Sequence, residues 1–143
     1  MSTLMTTDLL RARTPAIVAA VGFLAIAAFQ LALALGAPFG RAAWGGTYVH
    51  LPLGLRIASA FAVGVWVLAA LIILGRVGFQ VSPLPSTFVR WGSWILVGAL
   101  PLGALMNFAS PSTWERLLWG PVALILAVLC LVVARGGAAP AGG

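Results

Sequence analysis

"PAIVAAVGFLAIAAFQLALAL", Pro15 to Leu35, runs 21 residues without a charge. The hydrocarbon core of a bilayer is about 30 Å thick and takes roughly 20 apolar residues of helix to cross, so this one stretch is long enough. Its edges read as helix ends. Thr14 is a candidate N-cap and Pro15 suits the first helical position, while Gly36, Pro38 and Gly40 in "GAPFG" break a helix at the other end. A cleaved secretory leader has an apolar core of only about 7–15 residues; this run is longer and reads as a retained span.

Three further runs repeat the pattern. The second spans about Leu53 to Leu74, with Arg56 in its first turn and Gly75 as a C-terminal cap. The third spans about Thr87 to Phe108, with Arg90 near its start and Pro101 inside, and the fourth about Ser112 to Ala134, ending at Arg135. The expected fold is therefore all-α: an integral membrane bundle of four transmembrane helices, at about 15–35, 53–74, 87–108 and 112–134. These form one domain, 15–135, between a cytoplasmic N-terminal segment, 1–14, and a disordered tail, 136–143. Pro101 and Pro121 are expected to kink the third and fourth helices, and Pro121 leaves the carbonyl near Leu117 in need of another donor. The helices are apolar all round, so periodicity cannot assign their packing faces. Ala60 with Gly64 and Ala99 with Gly103 have the small-xxx-small spacing that lets helices approach closely.

Composition agrees. Hydrophobic residues make up 62% of the 143 and charged residues 7%, with a mean hydropathy of +1.13, where a soluble domain carries about a quarter charged residues. The net charge of +6 comes from arginines set singly at the ends of apolar runs. Nucleic-acid binding needs a basic face against phosphates, and no such face is present, so no nucleic-acid partner is expected. Arg11, Arg13, Arg76, Arg90 and Arg135 fall on the side of the termini, and Arg41, Arg56 and Arg116 on the other. The positive-inside rule then puts both termini in the cytoplasm. In a bacterium this is the inner membrane. The single cysteine, Cys130, reads as a small buried or lipid-facing hydrophobe.

That topology gathers polar chemistry on the far side. The loop "LGAPFGRAAWGGTYVHLP", Leu35 to Pro52, and the stretch "NFASPSTWERLLWGP", Asn107 to Pro121, bring Arg41, Trp44, Tyr48, His50, Arg56, Asn107, Ser110, Trp114, Glu115, Arg116 and Trp119 to one face. Glu115 is the only glutamate in the chain. "STWE", Ser112 to Glu115, is a capping-box pattern in which Ser112 and Glu115 each bond the other's amide. The same Glu115 could pair with Arg41 or Arg56 across a polar pocket; the two roles are compatible. Trp44, Trp114 and Trp119 read as an interfacial aromatic belt, and His50 as a solvated loop residue. Gln30 is the strongly polar side chain of the first span and is expected to bond a neighbouring helix. "RAAWGG" at Arg41 and "RLLWGP" at Arg116 share R-x-x-W-G, a pattern that would fit two related two-helix halves.

Several activities are argued against. Proton-coupled transport generally needs a titratable group at membrane depth, and no span has Asp, Glu or His in its middle. A thiol–disulfide enzyme needs paired cysteines. Nucleophilic hydrolysis needs a nucleophile with a base and an orienting group, and neither G-x-S-x-G nor a P-loop is present. No catalytic residue, metal or cofactor is expected, and the chain is not expected to be an enzyme.

The motifs "LGAPFGRAAWGG" and "NFASPSTWERLLWGPVALIL" together resemble an uncharacterised family of small bacterial four-helix integral membrane proteins. The resemblance covers the chain from the first helix through the fourth. It implies four helices joined by Gly/Pro-Trp connections, and no activity or site. Three functions stand open at this level. The first is association with a membrane-protein partner within the lipid bilayer; the second, a homo-oligomeric channel or facilitator for a small solute, anions included; the third, a lipid or metabolite sensor built on the outer Trp/Arg/Glu residues.

Overall fold

The computed structural model describes residues 2–137. The tail read as disordered, 136–143, lies outside the described residues from position 138 onward.

Among the described residues every regular element is helical. Four helices, α1 (Ser2–Ala34), α2 (Leu53–Arg76), α3 (Ser86–Phe108) and α4 (Gly120–Gly136), are joined by loops that carry short 3₁₀ turns at Gly40–Ala42 and Trp44–Gly46. A five-residue π-turn, Glu115–Trp119, leads into α4. Counted with that turn, all four helices are long and apolar enough to cross a membrane.

The helices form a ring in which α1 packs on α2 and α4, and α3 on α4 and α2. The interior is small and apolar. Ala12, Ala16, Ala19, Ala20 and Phe23 of α1 meet Ala69, Ala70 and Ile73 of α2 and Leu126, Cys130 and Val133 of α4. Alanines at these positions let α1 approach two neighbours at once. The outer surface is apolar as well: Val21, Phe61, Ile95, Leu102 and Val128 are all more than half exposed, which a lipid surround favours and water does not. Close helix contact falls at Gly22, where an added Cβ would lie 2.9 Å from Leu126 Cδ2. It does not fall at the small-xxx-small pairs suggested by spacing, for nothing lies within 4 Å of a Cβ at Gly64 or Gly103. Spacing marks where helices could approach; the ring geometry decides which face turns inward.

Two boundaries differ from the sequence reading. Pro15 lies inside α1, not at its start, and the helix continues back to Ser2. A proline removes one intrahelical bond, but Ala12 is 1% exposed and would sit 3.1 Å from a Cβ at Gly136 on α4. Packing against α4, with Arg13 over the Phe79 ring at 5.2 Å, holds the extra turns in helical form. Segment 1–14 is thus largely an extension of the first helix. At the fourth helix, Pro121 does not open a bond in a regular helix. The chain inserts the π-turn before it, with the Gly120 amide on the Glu115 carbonyl five residues back, so the missing proline donor is absorbed in a wider turn.

Candidate functional site

The site lies at the end of the bundle where the α1–α2 and α3–α4 connections meet. Each connection is built for close approach. Trp44 has φ of 52°, and Gly45 and Gly46 follow at 82° and 75°. Three successive left-handed residues turn the loop back over the bundle, and only the first of them bears a strain cost for its side chain. The Ala43 amide bonds the Gly40 carbonyl at 3.1 Å and the Gly46 amide the Ala43 carbonyl at 2.9 Å, so the turn is internally braced.

Across from it, Ser110 and Ser112 organise the other connection. The Ser112 amide donates to Ser110 Oγ at 3.1 Å, and Ser110 Oγ donates to the Glu115 carboxylate. Ser112 Oγ accepts the Glu115 amide at 3.4 Å and donates to the Arg41 carbonyl at 2.8 Å. Half of the capping box is therefore present. Its reciprocal half is not: the Glu115 carboxylate reaches away from the Ser112 amide and takes the Gly45 amide, with both oxygens 3.3 Å from the nitrogen.

Glu115 pairs with neither Arg41 nor Arg56. Arg56 Nε donates to the Ala34 carbonyl at 2.9 Å, closing the end of α1. Arg116 donates from Nη1 to the Ser110 and Pro111 carbonyls at 2.9 and 3.3 Å, and Arg41 is exposed. A helix end leaves carbonyls without partners, and these guanidinium groups are spent on such backbone oxygens. Among the described residues the carboxylate has hydrogen-bond donors but no ion pair.

Beneath the two connections is a cavity of about 390 Å³. Its polar lining is Gln30, Asn107, Ser110 and Glu115; its aromatic lining is Phe29, Trp44, Trp66 and Trp119; Ile26, Leu100, Val122 and Leu126 close its floor. The volume suits a small ligand. Trp44 Nε1 donates to Ser59 Oγ at 3.0 Å, with Ser59 fully buried, and Trp119 Nε1 donates to the Ala42 carbonyl at 2.8 Å. Trp119 also leans on Phe29, ring centroids 5.0 Å apart, and Trp66 stacks on Phe23 at 5.7 Å. Both N–H groups of the loop-side indoles are thus used outside the cavity, which meets their carbon rings. Gln30 does not bond a neighbouring helix. Its Oε1 is buried without a hydrogen-bond partner, and the Asn107 side chain likewise makes no hydrogen bond among the described residues.

Of the residues singled out by sequence, the structure brings Gln30, Trp44, Asn107, Ser110, Glu115 and Trp119 together around one cavity. Arg41, His50, Arg56, Trp114 and Arg116 are not in its wall. His50 is exposed, its Nδ1 3.3 Å from the Gly36 carbonyl, and Trp114 is 59% exposed. Of the three tryptophans read as an aromatic belt, Trp114 and Trp44 are both more than a third exposed, while the indole N–H groups of Trp44 and Trp119 are held by Ser59 and the Ala42 carbonyl. The two R-x-x-W-G motifs supply one cavity tryptophan each, from different local structures: a left-handed 3₁₀ turn at Trp44 and a π-turn at Trp119. Sequence reasoning missed Trp66 and Phe29, apolar residues in apolar helices that carry no signal, and the Gly45 amide, a backbone group. No family model, curated protein or solved structure matches the chain.

Proposed function

We propose that this chain is a non-enzymatic, four-span membrane protein that binds a small molecule in the cavity under its loop end. The observation that carries the reading is the Glu115 carboxylate, without an ion pair among the described residues, in the wall of a cavity shared with three tryptophans and with the Gln30 and Asn107 amides. A carboxylate partly removed from water and without a countercharge is stabilised by a ligand that supplies one. Five arginines at the terminal end against three at the loop end support cytoplasmic termini and a cavity near the outer surface of a bacterial inner membrane.

Small-molecule binding is preferred here to association with a membrane partner, the first of the readings open to sequence, because the cavity supplies a site of its own. An anion facilitator loses support, since Arg56 and Arg116 are engaged on backbone carbonyls and no arginine lines the cavity. The test is to purify the chain in mild detergent, denature it, and analyse the extract by mass spectrometry. A molecule released in near-stoichiometric amount is expected. An empty extract, together with unchanged tryptophan emission across a panel of small solutes, would refute the reading.

A further inference from the structure

The cavity's chemistry narrows the ligand class, an inference that rests on the binding role just proposed. Its acceptors are the Glu115 carboxylate and the Asn107 side-chain oxygen, Gln30 Oε1 being closed off from it; its side-chain donors are only the two amide groups of Gln30 and Asn107. The Ser110 hydroxyl is spent on Glu115, the Trp44 and Trp119 N–H groups on Ser59 and Ala42. Glu115 is the one ionisable side chain in the wall, and among the described residues no cation pairs with it. The surrounding indole rings favour a cation over an anion, because their faces carry negative quadrupole charge.

We infer that the cavity binds a protonated amine, its ammonium donating to the Glu115 carboxylate and its apolar part lying among Trp44, Trp66 and Trp119. A carboxylate or phosphate would face Glu115 with no countercharge, which the low local dielectric makes costly. The amine could belong to a soluble metabolite or to an aminolipid headgroup, since both present the same donor cation.

The test is a titration of the full chain in uncharged dodecyl maltoside micelles, followed by tryptophan emission, with benzylammonium and its neutral counterpart benzyl alcohol. Benzylammonium is expected to bind tighter by on the order of tenfold to a hundredfold, the worth of a charge-assisted hydrogen bond. Glu115→Gln, which can still accept from Gly45 and Ser110, should remove that preference. Repeating the titration with phosphatidylethanolamine in the micelles separates the sources: suppressed benzylammonium binding points to a lipid headgroup, and unaltered binding to a soluble amine. Equal affinity for benzylammonium and benzyl alcohol overturns the ammonium assignment and leaves a binding cavity. An unchanged preference for benzylammonium in Glu115→Gln overturns it too. No response to either probe or to the lipid overturns the binding role itself.

Discussion

The Glu115 carboxylate sits against the backbone amide of Gly45, both oxygens 3.3 Å from the nitrogen, although 70 residues separate the two along the chain. With Ser112 on the Arg41 carbonyl and Trp119 on the Ala42 carbonyl, it ties the α1–α2 loop to the entry of α4. The chain's single glutamate is thus the clasp between its two loop-end connections, and also the charged group of the cavity wall.

Glu115→Ala should therefore cost more than Glu115→Gln. Alanine leaves the Gly45 amide and the Ser110 hydroxyl without an acceptor, a loss of about 2 kcal/mol or more, whereas glutamine keeps a carbonyl oxygen for them. Thermal unfolding in detergent should place Glu115→Gln nearer to wild type than to Glu115→Ala. Equal midpoints for the two variants would show that the carboxylate does not hold the loops.

A charge-swap cycle should show no rescue. Arg56 is bonded to the Ala34 carbonyl rather than to Glu115, so the losses from Arg56→Glu and Glu115→Arg should add to within about 0.5 kcal/mol. Recovery of stability in the double variant would mean that the two side chains meet.

The left-handed turn supplies an ordering. Gly46 has φ of 75°, and a Cβ there would lie 3.0 Å from both the Arg41 carbonyl and Ser112 Cβ; Gly45 has φ of 82° with nothing within 4 Å. Gly45→Ala should bear only the conformational cost, about 1–2 kcal/mol, and Gly46→Ala should bear that cost plus a clash with the clasp. Unfolding midpoints in the reverse order would contradict the packing of this loop on Ser112.

Much of this was legible in the sequence, for reasons that also explain the misses. In a chain this apolar, run length against bilayer thickness and the Gly/Pro breaks count the helices, and a polar residue is conspicuous wherever it falls. Gln30, Asn107, Ser110 and Glu115 stood out for that reason and share one cavity. Direction was not legible. The bonds of Trp44 to Ser59 and of Trp119 to a backbone carbonyl are not visible in a linear reading. Thr14–Pro15 looks like a helix start, and only Ala12 packed near Gly136 shows why it is not one. The Glu115 carboxylate, expected at an arginine or at Ser112, went to a backbone amide that sequence does not distinguish from any other.

The π-turn sets where Glu115 stands relative to α4. Pro121 cannot donate an amide hydrogen, and the Gly120 amide reaches five residues back to the Glu115 carbonyl. Pro121→Ala restores the donor and allows a regular α-turn, which would rotate Glu115 relative to α4 by up to about 100°, one residue's worth of helix. The carboxylate would then swing away from the cavity it shares with Gln30 and Trp119. The expected result is a loss of benzylammonium binding of about tenfold or more, with the gain from removing the proline offset by about 2 kcal/mol as the carboxylate leaves the Gly45 amide and the Ser110 hydroxyl. Retained affinity in a variant whose stability rises would show that the π-turn accommodates Pro121 without positioning Glu115.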